Sequence, residues 1–407
     1  MSTIDPKTSL PEPPEEAAQS GTLIASIALK QRAGGIVVPA ITVLVAFLLG
    51  GLVVLATGHN PLIAYRDIFD GSGLNWIFHP TTNLAATAPY NLTQTLLATT
   101  TLILTGLAVA FAFRCGLFNI GGQGQYFIGL LVAVWLGVDF AGMNPVPHIL
   151  LVLAAATLAG GLWAGIAGFL KATVGAHEVI STIMLNWIAF WLASWLLGDG
   201  GPLQNSANKS FPVSSDVAAS AKLPVFWGQQ QLQGLHVGLF IALAALVVFY
   251  LLLNRTTLGY EVRAVGFNPD AAAYGGINVR KNLIRAMAIS GGFAGLAGAI
   301  DLIGYLYHYG QTDVPTSSVG FLGIAVALLG RNTAIGTGLG ALLFGALLFG
   351  TTHGLSSNVI QPEQAGNLTY LIQGLVVLFI GADVLILYVW NTRRKLRLRT
   401  REAEPST

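Results

Sequence analysis

Long apolar runs, interrupted by short polar or glycine-rich stretches, dominate this chain. A helix that crosses a bilayer core about 30 Å thick needs roughly 20 mostly apolar residues, because each residue rises only about 1.5 Å. By that measure spans are predicted near residues 36–57, 93–113, 119–139, 148–171, 178–198, 236–254, 284–309, 334–353 and 368–390. One further stretch, 317–330 (SSVGFLGIAVALLG), is apolar but short, and reads either as a compact crossing or as a re-entrant segment packed within protein. The fold class expected is an all-α polytopic membrane protein.

The basic residues choose between nine and ten crossings. Lys and Arg accumulate on the cytoplasmic side of membrane proteins. With ten crossings and a cytoplasmic N-terminus, every one of the 20 Lys and Arg residues lies inside except Arg66, Lys209 and Lys222. With nine, the basic tail RRKLRLRTR would lie outside. The expectation is therefore about ten transmembrane helices with both termini cytoplasmic: a tail at 1–35, a transmembrane domain at 36–390 and a basic tail at 391–407. Two segments assigned to the outer side, 58–92 and 199–235, are too polar to cross and read as contact regions or plain connectors.

Composition agrees. The chain is 54% hydrophobic and 9% charged, against about 25% charged for a soluble domain. Net charge is only +2, so bulk charge gives no case for nucleic acid. The N-terminal region (PEPPEE) is polar and lacks the basic start and apolar core of a signal peptide. It reads as a disordered cytoplasmic tail, followed by a short amphipathic segment, SIALKQR. The single cysteine, Cys115, excludes an internal disulfide and reads as a small packing residue. Glycines spaced at helical intervals (Gly161, Gly165, Gly168; Gly291, Gly295, Gly298; Gly336, Gly340) predict close helix packing.

The inner loop 255–283 carries local signals of its own. YEVRAV at 260–265 is amphipathic. Asn268-Pro269-Asp270 then reads as a helix start, and Gly275-Gly276 as its end. A short structured helix on the inner face suits a force-transmitting contact with another protein; the alternative is a solvated connector.

Chemistry is sparse. No G-x-x-x-x-G-K-[ST] loop is present, so the chain has no P-loop for ATP. The seven His residues have no metal-ligand spacing, and no Ser, His and acid grouping stands out. No enzyme activity, cofactor or metal is expected. The polar residues at membrane depth say more, because an amide in lipid is costly unless paired or facing water. RCGLFNIGGQGQYFIG (114–129) holds Asn119, Gln123 and Gln125 among clustered glycines. GAHEVISTIMLNWIAFW (175–191) places Asn186 beside Trp187 near the middle of a span, with His177 and Glu178 at its cytoplasmic end. These amides read either as a hydrogen-bonding solute wall or as helix–helix contacts; Glu178 reads as a helix-end positioning group. Asp301 and Asp383 are the remaining membrane acids, and an acid at such depth can also serve a proton relay.

RCGLFNIGGQGQ, GAHEVISTIMLNW, LGYEVRAVGFNPDAAAYGGINV and SGGFAGLAGA, in that order, resemble the permease subunits of bacterial ABC importers for nucleosides. These belong to the wider superfamily of ribose and branched-chain amino acid permeases, and the resemblance covers about residues 36–390. It implies a bacterial inner-membrane subunit with about ten helices and no chemistry of its own. It also implies three partners: a second homologous permease, a cytoplasmic ABC ATPase and an extracytoplasmic substrate-binding protein. The loop carrying Glu261, Arg263, Asn268, Pro269, Asp270, Tyr274 and Gly275 is similar to the coupling helix that docks on the ATPase. Phe118, Asn119, Gln123, Asn186 and Trp187 are the expected lining of the solute path. Family members often have Asn where this chain has His177 and Tyr where it has Trp187, which leaves the exact solute open. The competing reading is a stand-alone, proton-coupled secondary transporter working through Asp301 or Glu178.

Overall fold

In lipid, an apolar backbone can satisfy its N–H and C=O groups only through its own helical ladder or a closed barrel, and the computed structural model of this chain is helical almost throughout. The structure describes residues 40–41, 43–56, 58–80, 87–207, 209–229, 232–354, 371–372, 374–375 and 378. Nearly all belong to one compact unit, Ala46–Gly381; a second unit, made of Met1–Val45 with Ala382–Thr407, lies almost wholly outside the described residues. The SIALKQR segment, Asp383, both tails and most of the expected span 368–390 also fall outside them.

The helices in chain order are α1 (Val43–Ala56), α2 (Pro61–Gly71), α3 (Thr87–Arg114), α4 (Gly122–Asp139), α5 (Pro145–Val174), α6 (Glu178–Leu197), α7 (Gly238–Arg255), α8 (Thr257–Phe267), α9 (Pro269–Tyr274), α10 (Val279–Asp301), α11 (Val319–Leu329) and α12 (Ala334–Gly354). Among the described residues six helical stretches are long and apolar enough to cross a membrane: α3, α5, α6, α7, α12, and α10 extended by the π turn Leu302–Leu306. They become seven if α1 and α2 form one broken span. The short stretch near 317–330 forms α11, whose 11 residues reach only about 16 Å and cannot cross alone.

α3 and α10 form the centre. Each is 83% buried over its most apolar window, against 28–33% for α5, α6 and α7. Small residues let α10 lie directly on α5: a Cβ added at Gly291 would stand 2.3 Å from the Gly160 carbonyl oxygen, and one at Gly295 would stand 2.4 Å from that of Ala156. Such approach gains van der Waals contact where lipid offers no hydrophobic drive. Gly165, expected on the same packing face, instead faces open space. Cys115 is buried just past the end of α3, and burial pushes its thiol up to about 12, so it remains a neutral packing group.

The segment 199–235 is stitched onto the chain that follows α10. Ser214 N donates to the Tyr309 carbonyl (3.0 Å), Val217 N to that of Tyr307 (2.8 Å) and Leu223 N to that of Ile303 (2.8 Å). His308 pairs with Asp216 at 2.9 Å. A two-stranded hairpin, β1 (Val225–Trp227) with β2 (Leu235–His236), leads into α7 and was not expected from the sequence. At the other ends of the helices, Lys171 near the end of α5 pairs with Glu178 at the start of α6 (2.8 Å). That contact fits the positioning role expected of Glu178.

Candidate functional site

α4 does not begin at the end of α3. Residues 115–121 run without regular helix, and Gly122 starts the new helix only after Asn119 has reached α10. α11 is interrupted in the same way, preceded by a short 3-10 turn at Gln311–Asp313 and irregular backbone to Ser318. The two broken segments meet. Gly320 N, in the first turn of α11, donates to Gln123 Oε1 (2.7 Å), and Gln123 Nε2 donates to Ser317 Oγ (3.2 Å). Irregular backbone at membrane depth is tolerated where protein buries it or where it lines a cavity.

A cavity of about 350 Å³ opens at this junction. Gln123 and Phe127 of α4, Ile183, Asn186, Trp187 and Phe190 of α6, Val314, Pro315 and Ser317 of the broken segment, and Phe321 of α11 line it. Asn186 sits eight positions into α6, about 12 Å from its start and well inside a core about 30 Å thick. The walls are mostly apolar, with four aromatic rings, and the polar groups few, the usual make-up of a small-molecule site, and the volume falls at the lower end of the roughly 300–1,000 Å³ of such sites.

Hydrogen-bond capacity separates the expected amides. An Asn or Gln side chain offers two donors and two acceptor lone pairs. Asn119 uses all four: it donates to Gln125 Oε1 (2.9 Å) and Ser290 Oγ (2.7 Å), and accepts from Gly121 N (2.9 Å) and Gln125 Nε2 (3.0 Å). It is fully buried, behind the cavity. Asn186 uses half its capacity, accepting from Gly124 N (2.8 Å) and donating to the Ile120 carbonyl (2.9 Å). Gln123 also uses half, through Gly320 and Ser317. The structure thus brings Gln123, Asn186 and Trp187 to one cavity. It places Asn119 in a saturated network and Phe118 against Phe113, 4.9 Å between ring centres. Phe127, Phe190, Phe321 and Pro315 were not picked out from the sequence, where each looks like ordinary apolar span or loop.

Asp301 lies elsewhere. It is 1% exposed, and its carboxylate accepts from the hydroxyls of Thr101 and Tyr126 (2.8 Å for the latter). It borders the π turn, not the cavity.

The inner loop forms two helices. Thr256 caps α8, its hydroxyl accepting from Gly259 N (3.1 Å). Asn268 caps α9 by accepting from Ala271 N (3.0 Å), with Pro269 in the first turn ahead of Asp270 and Gly275 at the end. Glu261 ties α8 to α10 by accepting from Asn282 Nδ2 (2.9 Å), and Arg263 Nε donates to the Gly259 carbonyl (3.2 Å). Tyr274 and Phe267 are almost completely exposed, 98% and 92%. Phe267 was not singled out from the sequence.

Residues 91–381 match the family model described as the branched-chain amino acid transport system permease component. The chain is similar to the guanosine ABC transporter permease protein NupP of Bacillus subtilis, 37% identical over 370 residues that make up 90% of this chain and 98% of that one. It is similar to the nucleoside ABC transporter permease protein NupB of Lactococcus lactis, 33% identical over 86% of this chain and 92% of that one. It is also similar to the glucose ABC transporter permease protein TsgB13 of Haloferax volcanii, 34% identical over 84% of this chain and 86% of that one. No solved structure matches it. The relatives are transporter permeases and not enzymes, and this chain, an integral membrane protein, belongs to the permease component family of the branched-chain amino acid transport system.

Proposed function

We propose that this chain is the solute-path subunit of an ATP-driven importer in a bacterial inner membrane, and that its solute is a nucleoside. The observation that carries the reading is the 350 Å³ cavity, in which two half-used amides face aromatic rings at membrane depth. A nucleoside needs that combination. Its flat base stacks on rings, worth about 0.5–1.5 kcal/mol per contact beyond the buried area. Its base edge and sugar hydroxyls both donate and accept, which the spare capacity of Gln123 and Asn186 matches. The first turns of α4 and α11 border the cavity, and helix N-termini carry partial positive charge suited to carbonyl and hydroxyl oxygens. Similarity to permeases named for guanosine and nucleosides supports this solute class; similarity to one named for glucose supports the sugar half of the same requirement.

The topology proposed is ten crossings with both termini cytoplasmic. Residues 307–330 make one broken crossing, irregular in its outer half and completed by α11. A second permease closes the cavity along the face of α6 that exposes Trp187, Trp191 and Trp195 (55%, 65% and 62%). A substrate-binding protein delivers solute to the outer surface. Phe267 and Tyr274 seat α8 and α9 on the ATPase, whose closure moves that loop and opens the cavity inward. The secondary-carrier reading has no support: the relatives are ABC permeases, and Asp301 is sealed behind Thr101 and Tyr126.

The test is affinity purification of the tagged chain from native membranes, followed by uptake of labelled nucleosides and glucose into proteoliposomes. Co-purification of a P-loop ATPase and a second permease, with ATP-dependent nucleoside uptake, is the expected result. Purification alone with ATP-independent transport would replace the importer by the carrier.

A further inference from the structure

Three spans terminate at one boundary of the bundle. α3 ends there at Arg114, α7 ends at Arg255 and α12 starts at Ala334. Between these ends lies a second cavity, of about 300 Å³, lined by Arg114, Tyr250, Asn254, Arg263, Thr333 and Ile335 among others. Its chemistry differs from that of the aromatic cavity, because two guanidinium groups share it.

Those arginines are held in place but not neutralised. Arg114 donates from Nε (2.9 Å) and Nη2 (2.6 Å) to the Asn332 carbonyl, which fixes the plane of its fork. Arg263 reaches the Gly259 carbonyl with Nε alone. Among the described residues neither meets a carboxylate within 4.0 Å. Both guanidinium groups line this one cavity. Like charges gathered in one partly buried pocket are unfavourable unless an anion joins them, and a guanidinium fork is the side chain best shaped to hold a phosphate by two bonds at once.

The surface beside the pocket is apolar and faces outward. On α7, Leu243, Val247 and Tyr250 share a helical face with Asn254, and they are 44%, 58% and 47% exposed. On α12, Ile335 and Leu339 stand one turn apart, 78% and 65% exposed. Both tracks run from the pocket along their spans toward the middle of the membrane. A doubly cationic pocket at a membrane boundary, continuous with apolar tracks into the core, is complementary to a molecule with a phosphate head and hydrocarbon tails. We propose that this cavity binds the headgroup of an anionic phospholipid of the cytoplasmic leaflet between Arg114 and Arg263, with its acyl chains along α7 and α12.

The site has a consequence for coupling. Arg263 belongs to α8, which passes through the Asn268 cap directly into α9 and its exposed Tyr274. A lipid phosphate on Arg263 fastens the proposed ATPase-docking loop to the bundle. The inference rests on the cytoplasmic placement of this boundary given above. That placement is checked separately, by labelling Phe267→Cys with an impermeant thiol reagent in sealed, oriented vesicles.

The binding test is native mass spectrometry of the purified importer complex with added phosphatidylglycerol or phosphatidylcholine. A retained phosphatidylglycerol adduct is expected, with phosphatidylcholine retained far less. Arg263→Gln should weaken retention by about fivefold, the effect of one arginine near an anionic lipid surface, while Arg263→Lys keeps most of it. In the unaltered protein, photoactivatable phosphatidylglycerol should crosslink to peptides carrying Tyr250, Arg263 or Ile335; this arm stands even if a variant fails to fold. Equal retention of the two lipids, retention unaffected by Arg263→Gln, or crosslinks confined to other peptides would each overturn the site. So would a crosslink of the pocket to the acidic N-terminal segment in place of lipid. None of these readouts depends on transport, so their failure is distinct from failure of the importer reading.

Discussion

Two of the polar clusters within this membrane domain solve the same physical problem in opposite ways. Asp301 with Thr101 and Tyr126 lies on the central helices, 1% exposed, each carboxylate oxygen occupied by a hydroxyl. Gln123 with Asn186 and Ser317 lies where two broken helices meet, and each amide, lining a cavity, keeps a donor and an acceptor unspent. The first arrangement is closed off by burial and does not line the cavity. The second leaves a polar cost standing that a solute can relieve. A polar residue at membrane depth therefore marks a candidate site only when it keeps spare hydrogen-bond capacity and lines a cavity.

The largest test of this contrast concerns His236, which packs at the end of the central helices and stacks on Tyr305 with planes 9° apart. Its Nδ1 accepts from Gly238 N (3.1 Å), and burial pushes the imidazole down to about 4. An unfolded imidazole takes its proton near pH 6.5, so between that pH and about 4 the unfolded chain holds more protons than the folded one. Stability then falls as pH drops through this window, by about 3 kcal/mol in all. His236→Asn, which keeps an acceptor for Gly238 N, should flatten the pH dependence of thermal unfolding in detergent. An unchanged slope would mean the ring is not sealed.

The sealed cluster is next. Asp301→Leu strands two buried hydroxyls and should destabilise the chain by about 1–3 kcal/mol, seen as a lowered Tm, with uptake per folded molecule retained. Abolished transport at unchanged Tm would instead revive a proton-relay role for Asp301.

Exposed aromatics give an effect of similar size on a different readout. Phe267→Ala with Tyr274→Ala should cost about 2 kcal/mol each in ATPase association, the scale of interface hot spots, measured by co-purification. Tm should hold, because neither ring is buried in the fold. The smallest effect belongs to the open cluster. Asn186→Leu should lower nucleoside uptake about tenfold, near the upper worth of one hydrogen bond, while assembly persists; full uptake would remove Asn186 from the path.

Much of this was readable in one dimension. The positions of six spans followed from apolar length alone, and α9 was readable because capping is local: Asn268, Pro269 and Gly275 all act within a few residues of themselves. The amides of the candidate site were also visible, as polar atoms in apolar surroundings. What could not be read was which of them is spent. Asn119 is saturated through Ser290, and Gln123 is half-used through Gly320, partners 171 and 197 residues away. Nor does local sequence tell that Phe321 and Pro315 line one cavity with Trp187, or that Arg114 and Arg263 share one pocket.

The sequence by itself thus determined the membrane character of the chain, the positions of most spans and the start of α9 in the inner loop, because hydrophobic length and capping depend on neighbours along the backbone. Only the tertiary structure decided which polar groups are satisfied, where cavities open and which aromatics stay exposed. Hydrogen-bond saturation and burial are properties of pairs of residues remote in the chain, and only packing brings those pairs together.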